Sequence, residues 1–367
     1  MRISIAERLK PFSHNPGSYC LLPGSALRLQ IFPTLICIHD LSEVESPLIC
    51  EISFPLHGPV KDFTLQQDLE KGCVRIWGCY KEGFVRYSIF PVEEKVCAIF
   101  IDKCPEGGIP FSCLVRPAKE KETIVIRDGS ASVEDASRAF FQVQERLSLG
   151  SHKAQDWDLV GRRSDLREIF PVWLRLGQLV PQQQSCKRLG SVVLLNHCEE
   201  LIASRTREEI FQSFLNLFHA GFEGILSPRL IDTQHQGLGV PKLENGQQGS
   251  PLVLLSEGAA LIRTLFLDVK GKEIKVLPSL PPEFHCGRYI NIDCEGIGTL
   301  DLEWSKKTIR RMIFRASSDK KITFSFQKQI KKFRLRESLK DRGTYLELGG
   351  GIEVRSGGVY CFDNFRK

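Results

Sequence analysis

Two hydrophobic periods alternate along this chain, and their order limits the folds open to it. From about residue 20 to 126 apolar and polar side chains alternate, as in Leu27-Arg-Leu-Gln-Ile-Phe32, Val74-Arg-Ile-Trp-Gly-Cys79, Phe84-Val-Arg-Tyr-Ser-Ile-Phe90 and Thr123-Ile-Val-Ile126. A period of two, rich in β-branched and aromatic residues and broken by Gly, Pro or charge clusters, predicts short antiparallel strands packed as a sandwich.

Near Gly129 the texture changes. Ser132-Val-Glu-Asp135 reads as a helix start, with Ala136–Leu147 running on without a breaker. Further helices are predicted over Gln155–Arg163, Asp165–Leu179 (bent or broken at Pro171), Val192–Ser204 and Leu252–Leu267. Thr206-Arg-Glu-Glu209 has the form of a capping box, and the helix it opens places Ile210, Phe211, Phe214, Leu217 and Phe218 on one face. A Gly-, Pro- and Gln-rich loop spans about 221 to 250. From Lys275 alternation returns, in Ile290–Asp293, Thr299–Trp304, Ile309–Phe314 and Ile322–Phe326. The predicted class is α+β multidomain, with an N-terminal antiparallel β-sandwich (1–130), a helical domain (131–270) and a C-terminal β-sandwich (271–367).

Composition narrows the function. With 42% hydrophobic and 26% charged residues in 367, the chain has the make-up of a globular protein with a sizeable core. No stretch is apolar enough for a membrane span and the start lacks a secretory core, so a cytoplasmic location is expected. The 13 cysteines are scattered and never form Cys-x-x-Cys, which fits reduced core thiols better than disulfides or a metal site. His197-Cys198 reads as packed helix interior. The formal charge is +6, and between Asp301 and Arg342 fourteen Lys/Arg face five Asp/Glu. Such a basic face attracts polyanions without sequence preference. No base-reading motif, Walker loop or dinucleotide fingerprint accompanies it, so neither sequence-specific nucleic-acid binding nor a cofactor is expected.

The most specific stretch runs from Glu273-Ile-Lys-Val-Leu-Pro-Ser-Leu-Pro281 to Trp304. Its Ile274, Leu277, Pro278, Leu280, Pro281, Phe284, Gly287, Gly296, Asp301, Glu303 and Trp304 resemble the junction of fucosidase-like glycoside hydrolases of family ninety-five. In that family a helix of an (α/α) toroid passes through a Leu-Pro strand into a C-terminal sandwich. Upstream, Leu243-Glu-Asn-Gly246 and Leu255-Ser-Glu-Gly258 are similar to the family's acidic loop and the helix after it. The resemblance implies a toroid cut down from about a dozen helices to roughly half. It also implies a carbohydrate partner and, if the chain is active, an inverting glycoside hydrolase acting on α-fucosides or related glycosides. Glu244 would be the catalytic base and Asn245 its neighbour at the sugar. The family's Asn-x-Asn element and general-acid segment have no counterpart here, so a non-catalytic carbohydrate-binding or assembly protein is the alternative.

The polar cluster His152-Lys-Ala-Gln-Asp156-Trp157-Asp158 carries types that sugar sites use: amides and carboxylates for hydroxyl pairs, an indole for a ring face. His152, Asp156, Trp157 and Asp158 are therefore candidate substrate contacts, with Asp156 and Asp158 the first candidates for an acid opposite Glu244. The same residues equally suit an ordinary helix start over a buried Trp.

Overall fold

The computed structural model describes residues 2–127, 129–137, 145–183, 189–232, 238–243, 248–337 and 341–366. Within them the chain is mixed α+β and mostly sheet, with several antiparallel sheets and five helices. The N-terminal part holds β1 (Phe12–Ser13), β2 (Ser18–Leu21), β3 (Leu27–Phe32), β4 (Leu35–Asp40), β5 (Leu48–Ser53) and β6 (Lys61–Asp68). It continues with β7 (Cys73–Cys79), β8 (Phe84–Glu93), β9 (Val96–Lys103), β10 (Thr123–Arg127), β11 (Ser130–Val133) and β12 (Arg146–Ser148). Next come α1 (Trp157–Arg163), α2 (Leu166–Gly177), α3 (Val192–Ser204), α4 (Arg207–Gly221), the short β13 (Phe222–Glu223) and β14 (Ser227–Pro228), and α5 (Val253–Phe266). The remainder is β15 (Leu267–Lys270), β16 (Glu273–Val276), β17 (Cys286–Asp293), β18 (Gly298–Ser305), β19 (Thr308–Ala316) and β20 (Lys320–Ser325). It ends with β21 (Lys332–Arg336), β22 (Thr344–Glu347), β23 (Ile352–Val354) and β24 (Val359–Arg366).

Alternation in the first part works as the period of two requires. A seven-stranded sheet, β1-β6-β7-β8-β9-β10-β11, lies against the four-stranded β2-β3-β4-β5. Val74, Ile76, Val85, Tyr87, Ile89, Ile99 and Ile101 point inward and are buried with Leu29, Ile31, Ile36 and Ile38 of the smaller sheet. Phe54 closes the interface edge-to-face on Tyr87, with centroids 6.1 Å apart. In the last part, β12-β17-β18-β19-β24-β21-β22 form a second seven-stranded sheet and β15-β16-β20-β23 a smaller one, whose β16–β20 pair is parallel. One contiguous cluster of buried apolar residues runs from Leu9 to Phe362, so sheets and helices share a core.

Helix positions agree best where apolar faces were strongest. α3 spans Val192–Ser204 as predicted, and α4 buries Ile210, Phe214, Leu217 and Phe218. Several expectations are corrected. Ser132-Val133 lies in the β10–β11 hairpin, because Ser130–Val133 finds a strand partner in Ile124–Arg127; it starts no helix. Arg146 and Leu147 lie in β12 beside β17, with Leu147 alone of the three strand residues buried; residues 138–144 are outside the described residues. At Pro171, where a bend or a break was expected, α2 is not broken and runs on to Gly177. Thr206 caps nothing with its side chain: its hydroxyl bonds Ser204 Oγ at 2.9 Å. His197, too, is exposed rather than packed, and only Cys198 faces inward. The twelve described cysteines are all free. Among the described residues no helix is long and apolar enough to cross a membrane, and no cluster of His, Cys, Asp or Glu could hold a metal ion.

The Leu-Pro junction is the packing hub. Phe284 is fully buried, with ring centroids 5.5 Å from Phe170 of α2 and 6.0 Å from Phe266 of α5. Trp304 donates its indole N–H to Phe284 O at 3.1 Å and lies 5.3 Å from Phe266. Gly287, paired with Trp304 across β17 and β18, leaves room for that ring. A Cβ there would lie 2.3 Å from Trp304 Cζ2 and 2.8 Å from Ser148 O. Gly287→Ala should therefore cost about 1–3 kcal/mol by overpacking, read as a lower urea midpoint. Gly161→Ala, in α1 with nothing within 4 Å, should instead be neutral or gain up to about 1 kcal/mol.

Candidate functional site

A cavity of about 660 Å³ opens between α2, α5 and the start of the C-terminal sheet. Two glycines set its helical wall. At Gly177 a Cβ would meet Leu255 O at 2.4 Å, and at Gly258 it would meet the Trp173 indole at 2.7 Å, so α2 and α5 touch backbone to backbone. Trp173 Nε1 seals the contact by donating to Leu254 O at 3.0 Å. The residues that follow the contact on each helix then reach the cavity: Gln178 after α2, and Ser256, Ala259, Ala260 and Arg263 along α5.

The opposite wall is built by a β-bulge. The β17–β18 register shifts between Tyr289 and Ile292, and Asn291 takes φ +57°, a conformation Asn tolerates better than most residues. Buried Asp301 stabilises the bulge by accepting from Asn291 N at 3.0 Å while pairing with Arg315 at 2.7 Å. The bulge brings Asn291 and Asp293 to the cavity beside Thr299 of β18.

Glu145 closes the floor. Its carboxylate accepts from Arg263 Nε at 3.0 and 3.2 Å, from Asp293 N at 3.0 Å and from the Tyr289 hydroxyl. Burial, followed by Glu145, pushes the Tyr289 phenol well above its ordinary pKa, so it stays a donor. Burial alone would lower Arg263, but Glu145 outweighs it and the net shift is upward. The lone pairs of Glu145 are thereby committed to the protein. Gln178 differs: its buried Oε1 has no hydrogen-bond partner among the described residues, and burying such a group costs free energy unless a ligand or water completes it. The cavity thus offers amides from Gln178, Gln182 and Asn291, hydroxyls from Ser256 and Thr299, and the exposed Asp293 carboxylate. Donors and acceptors mixed on an otherwise apolar wall suit a ligand dense in hydroxyls.

The sites expected from sequence lie elsewhere. Glu244 and Asn245 fall outside the described residues. Asp156 is the N-cap of α1, accepting from Asp158 N and Leu159 N at 3.1 and 3.3 Å. Asp158 accepts from Ser13 Oγ at 3.0 Å. Trp157 is 4% exposed and packs edge-on against Phe218, so its ring presents no free face to a sugar. Gln155 fastens the N-terminal segment, accepting from Lys10 N at 2.6 Å and donating to Arg8 O at 3.0 Å. Of the cluster, His152 is exposed and lines two surface hollows. The sequence reading passed over Glu145, Gln178, Arg263 and Asn291. One signal was available: Arg263 is the single cation in the largely apolar Val253–Phe266, where a partly buried charge needs a partner.

Arginines on the C-terminal sheet pair with carboxylates across strands. Glu303 pairs with Arg288 and Arg311, Asp301 with Arg315, and Asp363 with Arg334 and Arg336. No protein-family model matches the chain, and no curated protein matches it.

The floor of the cavity can be tested by a double-mutant cycle. Glu145→Gln should cost about 1–3 kcal/mol, since it weakens charge-assisted bonds to Arg263. Arg263→Met should cost a similar amount. The double variant should recover part of the sum, giving a coupling energy of about 1–3 kcal/mol in urea unfolding.

Proposed function

We propose that this chain is a carbohydrate-binding protein on a reduced form of the scaffold of fucosidase-like glycoside hydrolases: an N-terminal sandwich, a partial helical toroid and a C-terminal sandwich, divided near residues 130 and 270. The observation that carries the proposal is the cavity between α2, α5 and β17, with its unpartnered Gln178 oxygen and its bulged Asn291. The junction residues that resemble the family are consistent with it. Phe284, Gly287, Asp301 and Trp304 pack the helices onto the sheet and hold the bulge that forms the site.

Binding is favoured over hydrolysis by the state of Glu145. Inverting hydrolysis needs two carboxyl groups roughly 6.5–9.5 Å apart, one protonated and one ionised. Glu145 accepts from three donor groups, so its oxygens are occupied within the protein and not presented to a ligand. Asp293 is then the one described carboxylate in the cavity free to act, which is sufficient to accept from a hydroxyl but not to run an acid–base pair.

Calorimetric titration with a panel of neutral mono- and oligosaccharides, fucosides included, tests this. At least one should bind, and Gln178→Ala combined with Asn291→Ala should weaken it about tenfold or more, the worth of one or two hydrogen bonds. Stability should fall by only about 1 kcal/mol, because Ala tolerates the positive φ at position 291 less well than Asn. The wild type should release no sugar from α-fucosides. Absence of binding across the panel would overturn the proposal. Turnover would restore the hydrolase reading, in which Glu244→Gln must abolish activity.

A further inference from the structure

Away from the cavity, three surface hollows adjoin one another. The first, about 330 Å³, lies on the outer face of the large N-terminal sheet. The face follows from strand alternation. Val74, Ile76, Val85 and Tyr87 point inward, so Arg75, Trp77, Phe84 and Arg86 must point out. At the other end of this face Cys73, Phe90, Ala98 and Val125 are covered and buried. The hollow lies at the open end, where Trp77 is half-buried and Phe84 is 42% exposed.

Gln66 of β6 lines this hollow and also the next, about 560 Å³, which is bounded by Arg8, Lys10 and Phe12 on one side and His152 and Lys153 on the other. Ser148, His152 and Arg288 are shared in turn with a third, about 430 Å³, which reaches Arg310. Shared lining makes the three consecutive stations across the molecule. Seven Lys/Arg line them against three Asp/Glu. Four of those cations are paired: Lys10 and Arg75 with Asp68, Lys153 with Glu168, and Arg288 with Glu303. Arg86, Arg8 and Arg310 are exposed and make no ion pair among the described residues, and each stands in a different hollow.

We infer that these hollows form one groove for an extended acidic glycan, a polysaccharide segment with carboxylate or sulfate groups along its length. Guanidinium groups without a carboxylate partner, spaced along a groove, match anions repeated along a chain, because each fork can grip a carboxylate or sulfate. Trp77 and Phe84 give an apolar platform for a pyranose face at one end. Single-stranded nucleic acid fits less well. It requires successive stacking faces, whereas Trp304, the indole at the far end, is 1% exposed. The inference takes its ligand class from the carbohydrate reading above but uses a separate surface, so either can fail alone.

The test is titration of the full chain with heparin-derived and polygalacturonate oligosaccharides, neutral dextran oligosaccharides and a single-stranded oligonucleotide of equal charge. The two acidic glycans separate sulfate from carboxylate as the recognised group. At least one should bind, with an affinity that falls as salt rises, and more tightly than dextran or the oligonucleotide. Arg86→Glu with Arg310→Glu should weaken it about tenfold or more and flatten the salt dependence. Trp77→Ala should weaken it at an unchanged salt slope. All three positions are partly or fully exposed, and matched melting temperatures would confirm that the variants are folded. The cavity variant Gln178→Ala with Asn291→Ala should leave acidic-glycan binding unchanged, while the arginine variant leaves neutral-sugar binding unchanged. Equal or tighter binding of the oligonucleotide, indifference to the arginine substitutions, or no binding of either acidic glycan would overturn the inference.

Discussion

The contact between Trp304 and the backbone at Gly287 organises most of what surrounds it. The indole lies over a residue with no side chain, bonds the Phe284 carbonyl and meets Phe266 at the end of α5. Phe284 in turn meets Phe170 and Phe211, so one aromatic cluster ties α2, α4 and α5 to the C-terminal sheet. Burying each of these rings is worth about 1.5–3 kcal/mol, and the edge-to-face contact of Phe170 with Phe284 adds to it. The cavity exists because this cluster fixes the helices at one end while the β17 bulge holds the sheet away at the other.

Polar groups divide into two sets by how fully they are satisfied. Glu145, Arg263 and Tyr289 satisfy one another, and Asp301 is satisfied by Asn291 N and Arg315. These groups position the walls. Among the described residues that line the cavity, Gln178 is the one whose side chain holds a buried oxygen without a described partner. An incomplete buried acceptor at a concave surface is where a ligand hydroxyl gains most, because it completes a bond the protein leaves open.

The fold was legible where a single period ran for many residues. β3, β7, β8, β18, α3 and α4 could all be read from pattern, because one buried face dictated each of them. The two ends of the segment from Ser132 to Leu147 were misread for a physical reason: Ser130–Val133 and Arg146–Ser148 are short edge strands, stabilised by partners distant in sequence or across a tight turn. Local propensity carries no trace of such partners. The Asp156-Trp157-Asp158 cluster was legible as polar chemistry, but the alternative of a capped helix over a buried ring is what the geometry shows. The cavity itself was not legible. Glu145, Gln178, Arg263 and Asn291 lie on four different segments, and Asn291 reaches the cavity through a bulge that alternation alone does not forecast.

Amide hydrogen exchange, with and without a saturating neutral oligosaccharide, reads the central claim directly. Protection should rise at the end of α2 around Leu174–Gln178, along Ser256–Arg263 of α5 and at the Asn291 bulge, with the face of the N-terminal sheet unchanged. Protection confined to the sheet faces, or none at these three segments while the sugar is bound, would contradict it.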